Sequence, residues 1–290
     1  MSTISYGKYE KYGISYDTLQ LTDGDYTVTV TPEKGGMVTS FAKKGDEYLW
    51  LRDKNFESTD RPRCGVPILF PSCSKPDGGV HIFNGTPYPM ENHGFADLLP
   101  WDVEKAEDDE IVLSLKPNGL TKFVYPYDFL LNAKYTLEGN KLGINLTVKN
   151  PGRYYIPFSV GFHPYFACSA LENADFDITC QTCGENPKTD RYPSPDKIVL
   201  NRKKGADNSV LLLTGVKSPM VYTDKGTGHK VTVEFDEGAF GKGVLWQQDA
   251  ERFVCMEPWN GWQNSVNEAG NHEILAPGEE MCFVWSIAIE

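Results

Sequence analysis

Hydrophobic positions recur with a period of two along much of the chain. Tyr26, Val28 and Val30 alternate with Thr27, Thr29 and Thr31, and Leu142, Ile144, Leu146 and Val148 alternate with Gly143, Asn145, Thr147 and Lys149. Near the C-terminus, Phe283, Trp285, Ile287 and Ile289 alternate with smaller or polar neighbours. Successive strand side chains point to opposite faces, so each segment predicts a strand with one face buried. Between Lys134 and Leu146, Gly139-Asn140 is a turn signal joining two such strands, which predicts a hairpin. Helical patterns are short, because 27 Gly and 19 Pro interrupt them before three turns are complete. The regular exchange of strands with long amphipathic helices that builds a parallel α/β sheet is absent. The expected fold is therefore all-β, predominantly antiparallel, with two large sheets packed face to face. No composition shift marks a linker and no repeat is visible, so residues 1–290 are read as a single domain, with the Pro-, Asp- and Lys-rich stretch from Gly184 to Asp196 as a loop.

Composition adds limits on function. The chain has 290 residues, 40% hydrophobic and 23% charged, enough to bury a large core and still line a deep cleft. Its formal net charge is -12, with the acidic residues spread along the whole sequence. That balance argues against nucleic acid and anionic membrane surfaces, which need concentrated Lys and Arg. It also disfavours a strongly anionic substrate, whereas a neutral sugar meets neither obstacle. The N-terminal MSTISYGKYEKYG has no basic region followed by an apolar stretch, so no signal peptide is expected. No window approaches the roughly 18 apolar residues that span a bilayer. Seven irregularly spaced cysteines read as reduced thiols, and the expected location is cytoplasmic. Cys180 and Cys183 form a C-x-x-C, but no second cysteine pair or paired histidine accompanies them to make a zinc site.

Three segments differ from ordinary strand or turn sequence: Arg63 to Trp101, Ser159 to Phe166 (SVGFHPYF) and Phe253 to Trp262 (FVCMEPWNGW). Each sets a titratable side chain, His93, His163 or Glu257, among aromatic, Pro and Gly residues. A carboxylate beside bulky aromatics is partly desolvated, which raises its pKa above about 4.3 and makes it a better base. Histidine titrates near neutrality and can donate or accept a proton. In His163-Pro164 and Glu257-Pro258 the proline drives the preceding residue toward an extended backbone, fixing the side-chain direction that acid–base catalysis needs. Phe95, Tyr165, Phe166 and Trp259 offer rings to stack on the apolar face of a sugar. The same residues also suit a satisfied core, and residue types alone leave both readings open. His81, His229 and His272 lie in polar, turn-like surroundings and read as surface residues.

Four stretches carry a family resemblance: R-x-G-x-P-I-L-F-P from Arg63 to Pro71, H-G-F-A from His93 to Ala96, H-P-Y-F from His163 to Phe166, and E-P-W from Glu257 to Trp259. In this order and spacing the chain resembles the aldose 1-epimerase (galactose mutarotase) superfamily along nearly its whole length. The resemblance implies a large antiparallel β-supersandwich with an open cleft across one sheet. It implies His163 as catalytic acid, Glu257 as base, and His93 as a substrate ligand that helps polarise the ring oxygen. It further implies Arg63 at the cleft, as in some branches, and an Asp gripping sugar hydroxyls, for which Asp207 in ADNSVLLL is the nearest match. No metal, nucleotide or redox cofactor is implied. The partner is a small-molecule sugar, and the assembly a monomer or homodimer.

Two positions depart from the family pattern. Many members carry G-R after the I-L-F-P run, where this chain has Ser74-Lys75, so Lys75 keeps a cation there without the planar fork of arginine. Branches acting on hexose 6-phosphates resemble this chain in R-x-G-x-P but carry Arg after H-G-F-A, where this chain has Asp97. A carboxylate there would repel phosphate, so a free aldohexose is expected ahead of a hexose 6-phosphate. Asp97 and Lys75 also read as solvated loop charges. A catalytically silent sugar-binding or regulatory protein on the same scaffold is the competing class. A glycoside hydrolase needs two opposed carboxylates, and only Glu257 stands out in a motif.

Overall fold

The computed structural model describes residues 2–11, 14–51, 61, 63–185, 192–193, 198–200, 208–248 and 251–290. The period-two segments form antiparallel ladders, as the pattern predicts. The hairpin at Gly139-Asn140 joins Leu130–Glu138 to Lys141–Lys149, with Glu138 opposite Lys141. Tyr26–Thr31 sits inside a separate five-stranded sheet that begins with Thr3–Lys11 and Ile14–Asp23. The described residues hold one short α-helix, Gly119–Val124, capped by the Asn118 side chain. No helix among them is long and apolar enough to cross a membrane.

Two eight-stranded sheets dominate. The backing sheet runs in the order Ala174–Asp177, Met220–Asp224, Lys230–Phe235, Glu280–Ile289, Lys141–Lys149, Leu130–Glu138, Glu110–Leu115 and Asp102–Glu107. The cleft sheet runs Tyr192–Pro193, Thr182–Gly184, Asn208–Thr214, Lys242–Gln248, Phe253–Trp259, Gly161–Phe162 and Ile68–Leu69, with Tyr165–Ala167 also paired to Phe253–Trp259. Register lines up one buried row across four strands of the backing sheet: Tyr135 opposite Ile144, Ile144 opposite Trp285, and Trp285 opposite Phe235. Such directly opposed pairs are the stabilising unit of a sheet.

The two sheets meet through this row. Phe162 of the cleft sheet lies flat on Trp285 of the backing sheet, with ring centroids 4.5 Å apart and planes 8° from parallel. Phe240 fills in beside them, 6.0 Å from Phe162 and 5.7 Å from Phe283. Removing a fully buried aromatic costs its burial plus the cavity it leaves. Trp285→Ala is therefore expected to lower unfolding free energy by about 3–5 kcal/mol, read as a lower urea midpoint at an unchanged m-value. A loss below about 1 kcal/mol would mean that this stack does not join the sheets.

Candidate active site

The chemistry of the cleft follows from strand alternation. Phe253–Trp259 is buried along its whole length, so both faces are covered. Val254 and Met256 enter the main core, whereas Phe253, Cys255 and Trp259 belong to smaller clusters on the opposite face. Glu257 shares that second face. The neighbouring strands repeat the division: Leu245 and Leu213 face the core, while Val244, Trp246, Val210 and Leu212 line the cleft with Glu257. Phe162 faces the core on Trp285, and the next residue, His163, lines the cleft. Gly161 makes room for this, since a Cβ there would sit 2.5 Å from the Trp259 ring.

The cleft has a volume of about 780 Å³, within the usual range for a small-molecule site. His163 Nε2 lies 3.3 Å from Glu257 Oε2, with side chains 9% and 1% exposed. The contact lacks hydrogen-bond alignment, and Glu257 Oε2 has no hydrogen-bond partner. The His163 ring stacks on Tyr165 at 4.7 Å and meets His93 and Trp246 edge-on at 5.2 and 5.7 Å. Burial pushes the Glu257 carboxyl well above the usual carboxylate range, with Trp259 pulling weakly back. Burial, helped by the field of His93, pushes His163 well below the usual histidine range. Both shifts oppose separated charge and favour a neutral carboxyl beside a neutral imidazole over an ion pair.

His93 is held in a left-handed backbone conformation, φ 64°, which non-glycine residues seldom adopt. Gly94 follows at φ 74°, where a Cβ would lie 2.2 Å from the Phe70 carbonyl oxygen, so the H-G step fits only glycine second. His93 Nδ1 donates to the Cys73 carbonyl, which can only accept, and this leaves Nε2 as an acceptor on the neutral ring. Burial and then Arg61 push His93 down to about 3. In this state its Nε2 can accept a hydrogen bond but cannot donate one.

Arg61 is the cleft residue that the sequence motifs missed. Its guanidinium pairs with the Asp97 carboxylate and donates to the Gly94 carbonyl at 2.8 Å. Asp97 is therefore no solvated loop charge: its side chain is 1% exposed and faces a cation. Burial pushes Asp97 up to about 6 against the opposing pull of Arg61, leaving it ionised at neutral pH. The expected repulsion of phosphate by Asp97 is thus largely cancelled by its own partner. A spacing of one residue from the R-x-G-x-P motif was the only hint of Arg61, and a 36-residue separation hides its partner.

The other sequence candidates divide. Arg63, His93 and Trp259 line the cleft, and Arg63 is exposed at its rim, donating to Gln248 at 2.7 Å. Lys75 is exposed and lies against Gly79, while Ser74 lines the cleft instead. Asp207 lies outside the described residues. Of the proposed stacking rings, Tyr165 and Trp259 line the cleft, but Phe95 and Phe166 are part of the main core. Trp246 and Trp262 join the cleft wall. No disulfide joins any of the seven cysteines.

His81 overturns its surface reading. It is fully buried, with Nε2 unpartnered and Nδ1 3.4 Å from Asn267, because the strand Val80–Phe83 turns it inward. His229 is also partly covered, stacked on Tyr48 and 2.7 Å from Asp46.

The aldose 1-epimerase family model matches residues 17–288. Protein LacX of Lactococcus lactis subsp. lactis is 26% identical over 260 residues, covering 81% of this chain and 85% of LacX. The crystal structure of Slr1438 from Synechocystis sp. PCC 6803 superposes with a TM-score of 0.86 at 27% identity, covering 94% of this chain and 95% of that one. A galactose mutarotase-like protein from Lactobacillus casei ATCC 334 shares the fold at a TM-score of 0.76 and 21% identity, covering 94% of this chain and all of that one.

The burial of His81 has a measurable consequence. Burial pushes its pKa down to about 4, below the ordinary 6.5 of an unfolded chain. The unfolded state therefore binds a proton that the folded state refuses, and stability falls as pH drops from about 6.5 to about 4. His81→Asn, which can still meet Asn267, is expected to flatten part of that decline in urea titrations at pH 7 and about pH 4.5. An unchanged slope would show that His81 accepts its proton in the fold.

Proposed function

We propose that this chain, which belongs to the aldose 1-epimerase family, interconverts the α and β anomers of a free aldohexose by acid–base ring opening. The observation that carries the reading is the His163–Glu257 pair, 3.3 Å apart on the cleft floor. A hemiacetal presents its anomeric hydroxyl and its ring oxygen on one carbon, so the two proton-handling atoms must stand close together. Glycoside hydrolases instead space two carboxyl groups about 5 Å or more apart. Among the described residues the other cleft carboxylates are Asp97, tied to Arg61, and Glu91, exposed at the rim.

Once the proton held by the pair has moved onto His163, Glu257 takes the proton of the anomeric hydroxyl while His163 gives its own to the ring oxygen. The bond from C1 to the ring oxygen breaks, C1 becomes an aldehyde, and rotation about C1–C2 exposes its other face. Reclosure returns both protons along the same paths, and the two groups exchange roles. Neutral His93 accepts from a sugar hydroxyl, and Trp259, Trp262 and Trp246 supply an apolar wall. A neutral substrate is supported by Arg61, whose fork is occupied by Asp97 and Gly94. Arg63 at the rim is the cation on which a 6-phosphate reading would rest.

Glu257→Gln and His163→Asn are each expected to lower the enzymatic rate by about 10²–10⁴-fold with unchanged thermal melting, read by polarimetry of freshly dissolved α-glucose and α-galactose. Wild-type turnover in Glu257→Gln would remove it as base, and no acceleration across free sugars by the wild type would leave a silent sugar-binding protein. Free hexoses are expected to outrun hexose 6-phosphates in kcat/KM, and the reverse order would move the substrate to phosphorylated sugars.

The pH profile follows from the same pair. Activity should be bell-shaped, falling in acid when the pair takes a second proton and in alkali when it loses its only one. Because burial lowers His163 and raises Glu257, the acid limb should lie below the ordinary histidine value of about 6.5 and the alkaline limb above the ordinary carboxylate value of about 4.3. A single limb with an apparent pKa at the ordinary histidine value would show that the two groups titrate independently.

A further inference from the structure

The alternation that aims Glu257 into the cleft also sets Cys255, two residues earlier, on the same face. Cys255 lies opposite Tyr165 on one neighbouring strand and opposite Trp246 on the other, fully buried and unoxidised. Among the described residues, His163, Cys255 and Glu257 form a group whose ligand atoms all lie within 4.8 Å of one another.

The spacing suits a small tetrahedral cation. Zinc binds histidine nitrogen at about 2.0–2.1 Å and carboxylate oxygen at about 2.0–2.2 Å, which puts those two ligands about 3.3 Å apart in a tetrahedron. His163 Nε2 and Glu257 Oε2 are 3.3 Å apart already. A thiolate at about 2.3 Å from the same ion would sit about 3.5 Å from each of them, and since the three ligand atoms lie within 4.8 Å of one another, Cys255 Sγ needs to close by no more than about 1.3 Å. Glu257 Oε2 is buried with no aligned hydrogen bond, and His163 and Cys255 lie close to it. An acceptor in that situation is a ready cation ligand.

We propose that His163 Nε2, Cys255 Sγ and one Glu257 carboxylate oxygen form a three-ligand site for zinc or a similar thiophilic divalent cation, and that its occupation switches the cleft off. Binding expels two protons to solvent, one from the Cys255 thiol and the one shared by His163 and Glu257, and no electrons move. Two anionic ligands then balance the dication. A neutral complex suits a buried floor that already faces the Arg61 and Arg63 guanidiniums. With both proton-handling atoms bound to metal, neither can serve the hemiacetal. Metal binding stands on geometry alone, whereas the inhibition rests on the proposed ring-opening activity.

Cobalt(II) titration of the metal-free protein tests the site without any assay of turnover. The expected result is a thiolate-to-cobalt charge-transfer band saturating at one equivalent and displaced by zinc. The band should be lost in Cys255→Ala and Cys255→Ser but kept in Cys282→Ser and in the Cys180→Ser/Cys183→Ser double variant. No band, or a band that survives both Cys255 substitutions, overturns the site. Zinc inhibition is then measured against each variant's own metal-free rate, and loss of the thiolate should raise the half-inhibiting zinc concentration by at least the roughly 10–100-fold that losing a mere outer-shell partner costs. Equal inhibition of wild type and both Cys255 variants would also overturn it. A Cys255-dependent band in a protein that accelerates no sugar would sink the mutarotase reading and leave the metal site standing.

Discussion

Phe162 lying on Trp285 is the contact on which the rest of the cleft depends. It locks the strand next to the Ile68–Leu69 edge of the cleft sheet to the middle of the backing sheet, and it sets which way the chain faces at that point. Because strand side chains alternate, an inward Phe162 turns His163 toward the cleft. The same rule operates one strand away, where Met256 enters the core and Glu257 comes out beside His163. Two alternations in adjacent strands, each anchored in apolar packing, bring an imidazole and a carboxylate to 3.3 Å without any direct hydrogen bond between them.

Burial then does the chemical work. In water the carboxyl would be ionised at neutral pH, but on the cleft floor desolvation raises Glu257 and lowers His163, so the neutral pair is favoured over the ion pair. Such a pair suits a reaction in which a proton leaves one oxygen and arrives at another on the same carbon. The surrounding polar groups are quenched in the same way. Asp97 is held by Arg61, and His93 is kept neutral and fixed in tautomer by the Cys73 carbonyl. The site therefore holds little net field for an anionic group, except at the rim where Arg63 stands.

A floor built from a histidine, a thiol and a carboxylate has a chemical cost. The closeness that would allow proton exchange is also the closeness that zinc prefers, and in the proposed metal site Cys255 would be the third ligand because strand periodicity puts it on the same face. On these two proposals, proton-transfer geometry and affinity for a thiophilic cation share one cause.

Much of this was legible in the sequence. Period-two runs, the Gly139-Asn140 turn and the frequent Gly and Pro determined an antiparallel all-β chain, because alternation and turn chemistry are local properties. The motifs around His93, His163 and Glu257 marked them as candidates for the same reason: each sits in a local setting of aromatics, Pro and Gly. Other features were decided only by the tertiary structure. Phe253–Trp259 is buried on both faces, so hydrophobicity could not say which face holds the chemistry; the packing of Met256 did. Phe95 and Phe166 went to the core, Trp246 to the cleft, and Lys75 to the surface, according to which side of each strand or loop the sheets covered. Arg61 with Asp97, and Cys255 with His163, are partners distant in sequence. Local pattern names residue types and their spacing, but which charge meets which is set by how two sheets close over one another.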